Sequence, residues 1–164
     1  MEADLPSQAD AAEAYELAYR EGERALSEQQ TVVDGFRSRA GLILSAAAIA
    51  TSFFGGAALD RGTTAFTWIA IALFLALGAA VIRILWPRGD WEFTIGPEAL
   101  IENYIEHPQP LSLPLIHRDL ALHMDRSYFH NRGELLLLVR YFRVASVLLT
   151  LEVVAWVVDL VIQA

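Results

Sequence analysis

Two carboxylic acids stand in an otherwise apolar stretch near the end of the sequence, Glu152 and Asp159 in "LLTLEVVAWVVDLVIQA". They are seven residues apart, so on a helix they share a face with Leu148 and Ala155. A charged side chain at mid-bilayer costs about 2.5–3.5 kcal/mol even on the most lenient scale, so neither acid should face lipid. Two chemistries fit the pair. Hydrogen-bonded to hydroxyls of neighbouring helices, the acids lock a bundle together. Set along a wet path, rings of such acids from several subunits favour cations. The residues alone leave both open.

The hydroxyls for the first reading lie in "AGLILSAAAIATSFFGGAAL", residues 40–59, which carries no charge. Thr51 and Ser52 fall at a depth similar to Glu152, with Ser45 two turns earlier; Asp159 falls toward the outer interface. The same stretch has a face of small residues: Gly41, Ser45, Ala48, Ser52 and Gly55, with Gly56 beside them. Such a face lets another helix approach closely. Gly78, among Ala76, Ala79 and Ala80, gives "AFTWIAIALFLALGAAVIRILW" (residues 65–86) a comparable surface. The packing partner is a helix of the same chain or of a second copy.

Three elements must position these groups. Residues 40–59 and 65–86 each supply the roughly twenty apolar residues that a bilayer core demands, and 144–162 is nearly as long. The fold predicted is therefore all-α: an integral membrane bundle of three transmembrane helices with helical cytoplasmic extensions. The expected divisions are an amphipathic N-terminal helix over 1–39, a two-span hairpin over 40–86, a cytoplasmic helical segment over 87–143, and the third span over 144–164.

Arginine sets the orientation, since positive residues favour the cytoplasmic side. Arg37 and Arg39 precede the first span, Arg83 and Arg88 mark the end of the second, and Arg140 and Arg143 precede the third. The consistent topology has the N-terminus inside, the short loop outside, the central segment inside and the C-terminus outside. Arg83, a turn inside its span, can snorkel to the interface. The first 39 residues hold nine acids and four arginines, which is not the pattern of a secretory signal peptide.

Before the first span, Tyr15, Tyr19, Gly22, Leu26, Gln29, Val33, Phe36 and Ala40 recur at alternating four and three spacing, one helical stripe. It serves an intramolecular contact or a coiled coil between copies. After the second span a short helix is expected from Pro97, where proline is tolerated, to about Glu106. Pro108, Pro110 and Pro114 then read as an extended linker. From about Leu115 the pattern is helical to the end, on the order of 75 Å if continuous.

The remaining chemistry is thin. There is no cysteine, and all twelve basic residues are arginine, which removes thiol and lysine nucleophiles. A net charge of −8 argues against a nucleic-acid partner, because phosphate neutralisation needs a basic face. Arg118, Arg126, Arg132, Arg140 and Arg143 suit anionic headgroups or a nucleotide phosphate. His107, His117, His123 and His130 are spaced too loosely for a metal motif. No nucleophile, base and orienter can be assembled, so neither an enzyme nor a cofactor is expected.

The layout of an amphipathic helix, a tight hairpin beginning "FRSRAGLILSAAAIATSFFGG" and a late helix "SYFHNRGELLLLVRYFRVASVLLTLE" resembles the SLATT-type and Pycsar-type membrane effectors of nucleotide-signalled antiphage defence. The resemblance runs from about Gln29 and is one of hydropathy pattern. It implies a homo-oligomer that compromises the inner membrane when triggered by a cyclic nucleotide or a cytosolic sensor protein. No cyclic-nucleotide-binding domain is recognisable, so sensing would fall to the cytoplasmic helices or to a separate protein. The other readings are a non-conducting scaffold that recruits a cytosolic partner through the 87–140 segment and, from three spans only with difficulty, a transporter subunit.

Overall fold

In the computed structural model the chain is described over residues 8–86, 91–94, 96–106 and 111–164. Among these residues there are helices and no strands. Helix α1 is Gln8–Arg61, α2 is Ala65–Leu85, α3 is Pro97–Leu100 and α4 is Leu113–Ile162. Of these, α1, α2 and α4 are long and apolar enough to cross a membrane. His107, Pro108 and Pro110 lie outside the described residues, as does Arg88.

The element boundaries have local causes. Helix α1 stops at Gly62, whose φ of +106° is open to glycine but strained for residues with a Cβ; its N–H still donates to Ala58 O at 3.0 Å. Thr64 caps α2: its hydroxyl accepts the Phe66 N–H at 3.0 Å, and its own N–H donates to Thr67 Oγ1 at 2.9 Å, a reciprocal cap that satisfies two orphan donors. Helix α3 opens on Pro97 and loosens into a π-helical turn over Ile101–Ile105, closed by the Glu106 N–H to Ile101 O at 2.9 Å. Helix α4 starts two residues earlier than the proline pattern predicts. Pro114 sits in its first turn, where the missing N–H needs no partner, and Ser112 O accepts the Leu115 and Ile116 N–H groups at 2.9 and 3.1 Å.

The chain divides into two compact units, Met1–Val32 with Gly89–Glu134, and Val33–Arg88 with Leu135–Ala164. In the first, the N-terminal stripe is the buried face of α1: Leu26 packs with Leu120 and Met124 of α4, flanked by Tyr19, Tyr104 and Tyr128. A Cβ on Gly22 would lie 3.3 Å from Met124 Cβ, so the close approach of the two helices depends on that glycine. Gln29, 6% exposed, donates to Tyr128 O at 3.1 Å. The segment before α3 is tied to α4 by Asn131, which is fully buried. Its Oδ1 accepts the Glu92 N–H at 3.1 Å and its Nδ2 donates to Glu92 O at 3.0 Å, while Ser127 donates to Glu92 Oε2 at 2.8 Å.

Tyr104 donates its hydroxyl to the Asp119 carboxylate. That hydrogen bond, with burial and the nearby negative charge, pushes the phenol up to about 12 from an ordinary 10.0. Because the folded value is the higher one, the contact contributes fully below pH 10 and is lost as pH rises through about 12. A phenolate absorbance titration should show one tyrosine ionising last, and Tyr104→Phe should abolish that step. Persistence of the late step in the variant would refute the assignment.

In the second unit Val33, Ala40, Ala47, Leu77, Val81, Ile84, Leu138 and Ala145 are buried, and Phe36 meets Phe142 edge-on at 5.2 Å between ring centres. Around them lies a coat of exposed apolar side chains, among them Leu42, Ile49, Phe53, Trp68, Leu75, Ile82, Val154 and Val161, with Phe53 at 79% exposure. A water-soluble surface rarely carries so continuous an apolar area; hydrocarbon solvates it at no cost.

Candidate functional site

Both acids of the last helix turn inward and are fully buried. They occupy two separate sites about 10 Å apart along the helix, and they share no donor.

Asp159 sits against the first turn of α2. The Thr64 hydroxyl donates to its Oδ1, Thr67 Oγ1 lies 3.1 Å from Oδ1 and 3.0 Å from Oδ2, and Gln163 Nε2 donates to Oδ2 at 3.2 Å. Gln163 also donates to Gly62 O at 2.7 Å, so the end of α4 is fastened to the turn between α1 and α2. Among the described residues no cationic side chain takes part. Hydroxyls, an amide and the positive end of the α2 dipole hold the carboxylate, while the capping threonines keep the α2 backbone satisfied.

Glu152 is held on one side only. Its Oε1 accepts the Thr51 hydroxyl at 2.5 Å, and Trp156 Nε1 approaches Thr51 Oγ1 at 3.4 Å. Its Oε2 has no hydrogen-bond partner among the described residues. Trp156, 1% exposed, packs with Ala58, Ala70 and Ala155, and a Cβ on Gly55 would stand 3.4 Å from its ring. Gly55 thus faces the indole from α1, at a distance where a Cβ would make ordinary van der Waals contact.

The other polar and small residues of the first span point elsewhere. Ser45 and Ser52 are exposed, and the Ser45 hydroxyl donates at 3.0 Å to Gly41 O on its own helix. Ala48 and Gly56 are also exposed, and a Cβ on Gly41, Gly56 or Gly78 would meet nothing within 4 Å. The structure therefore splits the residues singled out in the sequence into an inward set (buried Glu152 and Asp159, with half-buried Thr51 and Gly55) and an outward face (Ser45, Ala48, Ser52 and Gly56).

The five arginines fall on separate units. Arg118, Arg126 and Arg132 are exposed in the first; Arg126 Nε donates to Leu122 O of its own helix at 3.2 Å. Arg118 lines a groove of about 550 Å³ between α1 and α4, with Ala18, Gly22, Ala25, Ala121 and Met124 among its walls. Arg140 and Arg143 are exposed in the second unit. His117 stacks on Tyr19 at 5.1 Å, and among the described residues no group of three His, Asp or Glu side chains converges on a metal position.

Sequence reasoning missed Thr64, Thr67 and Gln163. The signal was present: the hairpin "DRGTT" ends in threonines at the same outer interface to which Asp159 was assigned, and Thr64 and Thr67 have capping spacing. Trp156 gave no such signal, since an indole in an apolar run reads as core or interface alike. The chain matches no family model, and comparison with curated proteins and with solved structures returns no match either.

Proposed function

We propose that this chain is an oligomeric inner-membrane effector that forms a pore or otherwise perturbs the bilayer, with α1 supplying the seam between copies. The carrying observation is the outward face of Ser45, Ala48, Ser52 and Gly56, small residues left exposed with no helix packed on them among the described residues. In lipid, where apolar burial gives helices no reason to associate, close approach over small residues does. The arginines at the ends of the spans put the N-terminus in the cytoplasm and the C-terminus outside. The resemblance to SLATT-type and Pycsar-type effectors supplies the biological setting, nucleotide-signalled antiphage defence, with a cyclic nucleotide or a sensor protein as trigger.

Glu152 and Asp159 are taken up inside one chain, so the wet wall of such an oligomer is not assigned to them. Planar-bilayer recording tests this. Ser52→Ile, which covers the face without touching the interior, should lower native mass in detergent and conductance together. Glu152→Gln should leave ion selectivity unchanged and alter detergent stability instead. Absence of conductance in every state, with and without cyclic nucleotides, would reject the proposal.

The groove of the first unit favours a second reading, a non-conducting scaffold for a cytosolic protein. A defined co-purifying partner, together with an undisturbed membrane potential on overexpression, would select it.

A further inference from the structure

The second unit contains a cleft that none of the preceding roles uses. On α2 its wall is Ala76, Ala79, Ala80 and Arg83; on α4 it is Leu137, Arg140, Tyr141 and Val144, and the enclosed volume is about 650 Å³. Each wall is one helical face at i, i+3, i+4 and i+7 spacing. The alanines open the cleft, because none of them reaches across to α4.

The two helices run in opposite senses along this cleft, which places its charges at one end. Arg83 closes α2 and Arg140 lies a turn before Val144 on α4, so both guanidiniums stand at the arginine-rich end, and Ala76 and Val144 mark the apolar end. Among the described residues no acid lines the cleft. Among the described residues the ion pairs are those of Arg20, Arg24 and Arg37 on α1, and neither Arg83 nor Arg140 has a carboxylate in reach. Arg83 is held over the Tyr141 ring, 5.9 Å from its centre, a cation–π contact that leaves its N–H groups free to donate.

We propose that this cleft holds one anionic phospholipid, its phosphate between Arg83 and Arg140 and the start of an acyl chain along Ala76, Ala79 and Ala80. Guanidiniums match phosphate oxygens in fork geometry, and basic pockets between spanning helices on the positive side are where such headgroups lodge. The apolar remainder of the wall decides between sources of phosphate, since a soluble anion gains nothing from three alanines and a valine. The proposal needs the helices to cross a membrane, but not that they conduct.

The test uses the full chain in vesicles of equal phosphatidylglycerol and phosphatidylcholine. Protein that floats with the vesicles is extracted and its retained lipids are counted by native mass spectrometry, so failed insertion and failed lipid choice register separately. One phosphatidylglycerol per chain is expected, in preference to phosphatidylcholine. The double variant Arg83→Gln/Arg140→Gln should reduce that preference roughly thirtyfold, at about 1 kcal/mol per arginine near a charged leaflet. Ala79→Phe, which fills the cleft with both arginines in place, should also expel the lipid. Equal retention of the two lipids, survival of the preference in the double variant or in Ala79→Phe, or displacement of the lipid by inorganic phosphate would each overturn the assignment.

Discussion

Trp156→Ala is expected to destabilise the second unit by about 3 kcal/mol, the low end of the range for removing a buried aromatic side chain. The low end applies because lipid is as apolar as the protein interior, so the usual transfer gain is absent and the loss comes from the cavity and its contacts. Ala58, Ala70, Ala155 and Gly55 beside the indole are too short to refill the cavity, and Phe54, Ile71 and Leu73, packed against the same cluster, close part of it. Thr51 also loses the indole N–H, 3.4 Å away, which leaves the Glu152 contact without its second support. Trp156→Phe should cost less, about 1 kcal/mol, because most of the ring volume stays. Unfolding by denaturing detergent from mixed micelles measures both, and an alanine variant within 0.5 kcal/mol of the parent, roughly the noise of a surface substitution, would contradict the packing described.

The second large effect is expected at Asn131. Its amide pairs with both the N–H and the C=O of Glu92, and Asn131 itself is fully buried. Asn131→Ala leaves two backbone groups without partners, at about 1–3 kcal/mol each; about 3 kcal/mol in total is expected. The Glu92 amide should then exchange its hydrogen on the order of a hundredfold faster. Asn131→Asp separates the halves of the contact: it keeps an acceptor for the N–H, but removes the donor and puts a negative charge near the Glu92 carboxylate. A similar loss in that variant is expected. Unchanged exchange in both variants would show that Asn131 does not hold the segment.

Much of the architecture was legible in the sequence because hydropathy carries it. Residues 40–59 and 65–86 declare themselves by length and lack of charge, and the acids of the last helix had to turn inward because lipid penalises them. The contact of Thr51 with Glu152 follows from depth, since two parallel helices of known start place matching residues at matching levels. Depth could not separate Thr51 from Ser52. Adjacent residues differ by about 100° of helix rotation, and only the position of α4 decides which one points inward. The Asp159 site depends on Gly62 and its positive φ, which bring the caps of α2 under α4. The Asn131 contact joins positions 39 residues apart with no periodic pattern to announce it, because a side-chain amide bonded to a loop backbone has no repeat. The early start of α4 was obscured for a different reason, in that three prolines read together as linker although the last of them is tolerated in a first helical turn.

Asp159 is held without any countercharge, and this governs how the protein responds to ionic strength. Dissolved salt weakens attraction between exposed charges, so the Arg20–Glu16 and Arg24–Glu28 pairs on the outside of α1 loosen in brine. The threonine and glutamine donors around the buried Asp159 are dipoles rather than charges. The closure of the hairpin against α4 is therefore indifferent to the saltiness of the medium.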